Sequence, residues 1–162
     1  MRLFLPLLFG FSLFAQTQLQ QNYDARNYNF TRTIGADASG SLDSPGAGKV
    51  ITITKCPWGL ATTDPVRISG SGTAELATVT AVACPGGSSK GTITLTTVNG
   101  HPGAAVIGSA TGGIQEAINT GGSNLVVYTG PKTINIYSDI RIRTDGVTIY
   151  GDGRQTNLYM PD

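Results

Sequence analysis

From Leu125 onward, short apolar strands return at a nearly fixed interval. LVVY begins at Leu125 and VTIY at Val147, 22 residues on. TINIY begins at Thr133 and NLYM at Asn157, 24 residues on. The separators TGPK, SD, TDG and GDGRQT are short. A quasi-period in the low twenties with small turns is the sequence sign of a solenoid of stacked strands. Each coil of such a stack covers the core of the one before it. The first coil has an open apolar end and needs a cap.

The segment just ahead, TGGIQEAINTGG, supplies a candidate cap. Thr111 can accept a hydrogen bond from a free N–H of the first turn. Ile114, Ala117 and Ile118 recur at i, i+3 and i+4 and form one apolar stripe. Gly121 can take the left-handed conformation that ends a helix. A helix of about nine residues is too short to persist alone in water and must dock on something. It reads as a lid on the stack.

Residues 50–107 carry a different pattern. VITIT, VRISG, ELATVTAV and GTITLTTV are separated by Gly, Ser and Pro clusters, with no helical periodicity. Ile51 and Ile53 fall on one face of their strand, and Ile93 and Leu95 on one face of theirs. This is a small all-β module. Only 13% of the 162 residues are charged, which suits strands joined by tight turns and leaves few groups for chemistry. The net charge is +1, with no basic field for nucleic acid and no charged run for a membrane surface. Residues 16–49 read as a polar extension, part strand and part loop, and a turn-rich linker. Within them GAGK is a Gly-rich turn, because Asp43 and Val50 stand where a phosphate loop needs Gly and Ser or Thr. Asn29-Phe30-Thr31 fits a glycosylation acceptor triplet.

MRLFLPLLFGFSLFA, residues 1–15, has a basic start and an apolar run too short to span a bilayer. It reads as a secretory signal peptide, so the protein is expected to be secreted or at the cell surface, without stable membrane insertion. In an oxidising compartment Cys56 and Cys84, each in a strand–Cys-Pro-x-Gly setting, are expected to pair; two free buried thiols are the alternative. The bridge would be worth about 3–4 kcal/mol.

The stretch from Gly113 to Met160 resembles the opening of pectate-lyase-superfamily proteins. The matching features are the IQEAIN helix (Ile114–Asn119), the strand Leu125–Tyr128, the turn at Gly130-Pro131, GVTIYGDG (Gly146–Gly153) and the T-x-L strand (Thr156–Leu158). The resemblance implies an all-β chain: a small N-terminal module, a capping helix and the first coils of a right-handed parallel β-helix over residues 108–162. The turn departs from the commoner Pro-x-Gly. The family's catalytic residues lie on middle coils, so none carries over, and the chain reads as the opening of a longer protein.

Candidate chemistry is sparse. In SDIRIRTDG, Arg141 and Arg143 alternate with Ile140 and Ile142 on a strand, with Asp139 and Asp145 on the same face. They read either as a site for the carboxylates of an acidic polysaccharide or as self-paired charges, Asp139 with Arg141 and Arg143 with Asp145. Asp145 and Asp152 are too few for calcium, and no metal or other cofactor is expected. His101, in NGHPG, is expected at the surface. Trp58 is expected to cover the edge of the module's core, with sugar stacking as the alternative. Tyr128, Tyr137, Tyr150 and Tyr159 are expected to pack. Two readings of function follow. One is the N-terminal portion of a secreted polysaccharide lyase or hydrolase, with no complete active site in this chain. The other is a non-catalytic surface, adhesin or tail-spike-like protein that binds glycan.

Overall fold

The computed structural model describes residues 21–34, 42–84 and 90–161. The expected signal peptide and the turn that follows Cys84 lie outside the described residues. The elements run β1 (Gln21–Asp24), α1 (Ala25–Tyr28), β2 (Thr31–Ile34), β3 (Gly46–Ile53), β4 (Pro65–Gly70), β5 (Glu75–Ala83), β6 (Gly91–Thr97) and β7 (Ala105–Ser109). Then come α2 (Ile114–Gly121), β8 (Leu125–Tyr128), β9 (Thr133–Asn135), β10 (Thr148–Tyr150), a 3-10 turn at Gly153–Gln155 and β11 (Asn157–Tyr159).

The chain is all-β in class, with two cores. Six antiparallel strands form one sheet in the order β2-β7-β4-β5-β6-β3, and its edge strands β2 and β3 approach each other. The sheet therefore curls as a half-barrel. Period-2 patterning drives it: Ile51 and Ile53 are buried while Val50, Thr52 and Thr54 are exposed. Ile68, Val79, Ile93, Leu95 and Ile107 fill the same core. Cys56 and Cys84 are bridged, with Cα atoms 5.4 Å apart.

The second core lies under two short parallel ladders. Val126 pairs with Thr148 and Thr133 with Asn157, at offsets of 22 and 24 residues. Leu125, Val127, Ile134 and Ile136 point into it. The larger sheet is thus antiparallel, and the parallel pairing is confined to three strands in the order β1-β8-β10 and to the pair β11-β9.

The end of these ladders is closed differently from the expected single lid. The extension is part strand, as expected, and its strands β1 and β2 belong to the two different sheets. β1 pairs in parallel with β8 along its whole length, Gln21 with Leu125 through Asp24 with Tyr128. It is β1 that covers the hydrogen-bonding edge of β8. Tyr23 and Tyr28 pack on the second core, whereas Phe30 and Ile34 sit in the first. The chain crosses from one core to the other within this polar segment, and the half-barrel occupies the sequence between β1 and α2.

α2 is wedged between the two units. Ile114, Ala117 and Ile118 belong to the parallel-strand core. Its polar neighbours Gln115 and Glu116 are buried as well. The half-barrel comes so close that a Cβ on Gly59 would lie 1.9 Å from the Glu116 carbonyl oxygen. Thr111 Oγ1 accepts from the Gln115 N–H at 3.1 Å, and Ser109 Oγ accepts from the Gly113 N–H at 2.9 Å. The left-handed glycine after the helix is Gly122, φ 74°, one residue beyond the expected Gly121. Gly121 itself stays helical and close-packed, since a Cβ there would lie 2.8 Å from both Leu125 and Tyr23.

Candidate functional site

At the seam between the units, a pocket of about 160 Å³ opens beside α2. One wall is the loop before β4. There Thr63, a β-branched residue, holds φ 76°, a left-handed conformation that costs such a residue energy. Three bonds fix it. The Thr63 N–H donates to the Val79 carbonyl at 2.8 Å, the Val79 N–H donates to the Asp64 carbonyl at 3.0 Å, and the Ala61 N–H donates to Asp64 Oδ2 at 2.8 Å. Pro65 then starts the strand.

The floor is α2. Asn119 donates its side-chain N–H to Asp64 Oδ2 at 2.7 Å and to the Gly59 carbonyl at 2.8 Å. Asp64 is only 8% exposed. Burial pushes its carboxyl above the ordinary aspartate range, against the Ala61 and Asn119 hydrogen bonds and the charges of Arg141 and Arg143. Glu116, 2% exposed, is also pushed up by burial, while donors at Ser109 and Thr111 pull the other way.

The far wall carries Arg141, Arg143 and Thr144. The segment that holds them is not the expected strand. Ile140 packs on the parallel-strand core but Ile142 is 54% exposed, so the alternation has no sheet to serve. The side chain of Gln115 replaces a strand partner. Its Oε1 accepts from the Arg141 N–H at 2.6 Å, and its Nε2 donates to the Arg141 carbonyl at 3.2 Å. Arg141 pairs with Asp139 at 2.8 Å, which raises the guanidinium pKa further and holds the Asp139 carboxyl below its usual range. It also reaches the Thr63 carbonyl at 3.5 Å. No Arg143–Asp145 ion pair is seen, and the Arg143 side chain is exposed.

Two expectations about single residues are corrected. His101 is not at the surface: it is 1% exposed. Its Nδ1 faces the Ser71 carbonyl at 2.7 Å and therefore carries a proton, and its Nε2 lies 2.9 Å from Glu75 Oε1. Glu75 Oε2 accepts from the Val98 and Asn99 N–H groups at 2.8 and 3.1 Å. The glycines of the two turns allow this approach, since a Cβ on Gly72 would lie 2.2 Å from the Gly100 carbonyl oxygen. The pair is a clamp whose side chains are almost wholly buried. Trp58 does not cover the core: it is 54% exposed, while Cys56 and Pro57 beside it turn inward.

Tyr128 and Tyr150 stack across β8 and β10 with centroids 5.0 Å apart, and the Tyr128 hydroxyl donates to Asp152 at 2.5 Å. Asp152 is thereby engaged away from Asp145. Among the described residues no group of three or more His, Cys, Asp and Glu side chains gathers to hold a metal ion, and no helix is long and apolar enough to cross a membrane. Asp64 and Asn119 are the site residues that the sequence reading missed; TTDP signals a turn and nothing more. Comparison of the chain with known protein families, curated proteins and solved structures finds no match.

Proposed function

We propose that this chain is the capped start of a right-handed parallel β-helix of the pectate-lyase-like kind, secreted or held at the cell surface, and that it binds an acidic polysaccharide at the Arg141–Arg143 pocket. One observation carries the binding half: both arginines line a single pocket with the side chains of Gln115, Asn119 and Thr144. Guanidinium groups suit carboxylates, and amides and hydroxyls suit sugar hydroxyls. At about 160 Å³ the pocket is smaller than the roughly 300 Å³ at which whole-ligand sites begin. It fits one carboxylate and the edge of one sugar in a chain lying across the surface. The β-helix half is supported by the two parallel ladders. Exposed Leu158, Tyr159 and Met160 stand on the side toward which such a stack grows. The Cys56–Cys84 bridge favours an oxidising compartment.

The reading is one of binding. The carboxyls nearest the pocket, Asp64 and Glu116, are engaged by donors inside the protein, whereas glycosidase chemistry wants two carboxyls facing one bond. Affinity electrophoresis in gels containing polygalacturonate tests it. Retardation that a neutral galactan does not cause, and that R141Q/R143Q reduces about tenfold, is the expected result. Equal retardation by both polymers, or none lost in the variant, overturns the pocket assignment. Turnover of polygalacturonate by the chain overturns the binding reading.

A further inference from the structure

A second cavity, about 330 Å³, lies in the crease between the outer face of the half-barrel and β9. Its floor is opened by one missing side chain. Thr31, Gly108 and Arg67 pair across β2, β7 and β4 in one row. Arg67 lies between buried Val66 and Ile68 and so points to the outer face. Gly108 has nothing to fill the space between Thr31 and Arg67. The opposite wall is the chain from Lys132 to Asn135, with Tyr137 beyond it.

The charges in this cavity are unbalanced. The Arg67 guanidinium lies 4.5 Å from the centroid of the Tyr137 ring, a cation–π contact. Lys132 lines the other side. No acidic side chain lines the cavity, and among the described residues neither cation has an ion-pair partner within 4.0 Å. Asp24 is held below the usual carboxylate range mainly by its own partner Arg26, with Lys132 a lesser cause. The remaining lining is neutral and mixed: Asn29, Thr31 and Asn135 are polar, while Val106 and Ile134 are apolar.

We propose that this crease binds a single hexuronate residue of an acidic glycan. Arg67 has N–H groups suited to a carboxylate and no acidic partner among the described residues, and Lys132 adds a point charge. Asn29, Asn135 and Thr31 serve the ring hydroxyls. The volume reaches the range of whole-ligand sites, about 300–1,000 Å³. The ligand class is that proposed for the Arg141–Arg143 pocket, but the residues are separate, so either site can fail alone.

Titration of the ¹⁵N-labelled chain with galacturonate, galactose and acetate decides it. Galacturonate is expected to shift the amides of Thr31, Gly108, Thr133 and Asn135 saturably. Galactose and acetate are each expected to bind at least about tenfold more weakly. K132Q is expected to weaken galacturonate about fivefold with the rest of the spectrum unchanged, and R141Q/R143Q to leave these four shifts intact. R67Q is expected to weaken it further, but it also removes the Tyr137 stack, so half-buried Lys132 is the cleaner test. Galactose or acetate binding as tightly as galacturonate overturns the proposal, as does a wild-type affinity in K132Q. Shifts confined to Thr63 and Arg143 overturn it and leave the earlier pocket standing.

Discussion

Asn119 and Asp64 are 55 residues apart in sequence and joined at 2.7 Å, amide to carboxyl, across the seam between helix and half-barrel. The same amide group holds the Gly59 carbonyl. One side chain therefore ties α2 to two points of the loop that shapes the arginine pocket. N119A removes both bonds and a third, from Gln115 Nε2 to Asn119 Oδ1 at 2.9 Å. The expected cost is about 1–2 kcal/mol, read from chemical denaturation. A carboxyl that loses a donor also rises in pKa, so Asp64 in N119A should titrate higher than in the wild type by carbon-detected NMR. An unchanged Asp64 titration would mean that the bond does not persist in solution.

Glu116 gives the pH dependence its sign. Burial holds its pKa above the ordinary glutamate value, so the folded state binds its proton more tightly than the unfolded state does. The stability this supplies is complete below the ordinary carboxylate range and is lost as pH rises through the folded value. Asp64 acts in the same direction. E116Q mimics the neutral form and does not titrate. The melting temperature of the wild type, measured from pH 3 to 8, should fall relative to that of E116Q as pH rises. Parallel curves would show that burial of Glu116 carries no proton linkage.

The His101–Glu75 clamp joins two turns at one end of the half-barrel. Removing the ring in H101A leaves a Glu75 carboxyl, 6% exposed, facing an emptied space. Removing one partner of a buried hydrogen bond costs about 1–3 kcal/mol. E75Q/H101A should recover part of that loss, because the carboxyl left facing the emptied space is replaced by an amide. Denaturant midpoints of the two variants compare them directly. A double variant less stable than H101A would assign the clamp to packing instead.

Much of the half-barrel was legible because its strands bury one face. Alternation from Val50 to Thr54 and from Thr92 to Thr96 marks that face without ambiguity. The offsets of the parallel strands were legible too, since stacked coils repeat their apolar positions. The seam was not. Gln115 and Glu116 are buried by hydrogen bonds rather than by hydropathy, so the helix reads as one-sided when it is covered on two. β1 lies in a Gln- and Asn-rich segment and is held by ladder bonds and by Tyr23, not by an apolar run. SDIRIR alternates like a strand, yet its backbone partner is a single glutamine side chain. His101 was misread because its partner Glu75 is 26 residues away, at the first position of β5, where the strand pattern gives no sign of a buried partner.

The Cys56–Cys84 bridge links the chain beyond β3 to the chain beyond β5, across 28 residues. β6 fits against it closely: a Cβ on Gly91 would lie 2.6 Å from Cys56 Sγ. Closing a loop of that length in the unfolded chain is worth about 3–4 kcal/mol. C56S/C84S should lose about that much stability in a denaturant titration. The loss should be local in its first stage. Amides of β3, β5 and β6 should exchange faster in the variant, while those of β8, which pair with β1 and β10, should keep most of their protection. Equal acceleration of exchange in β8 would show that the two cores open together, with α2 coupling them as one cooperative unit.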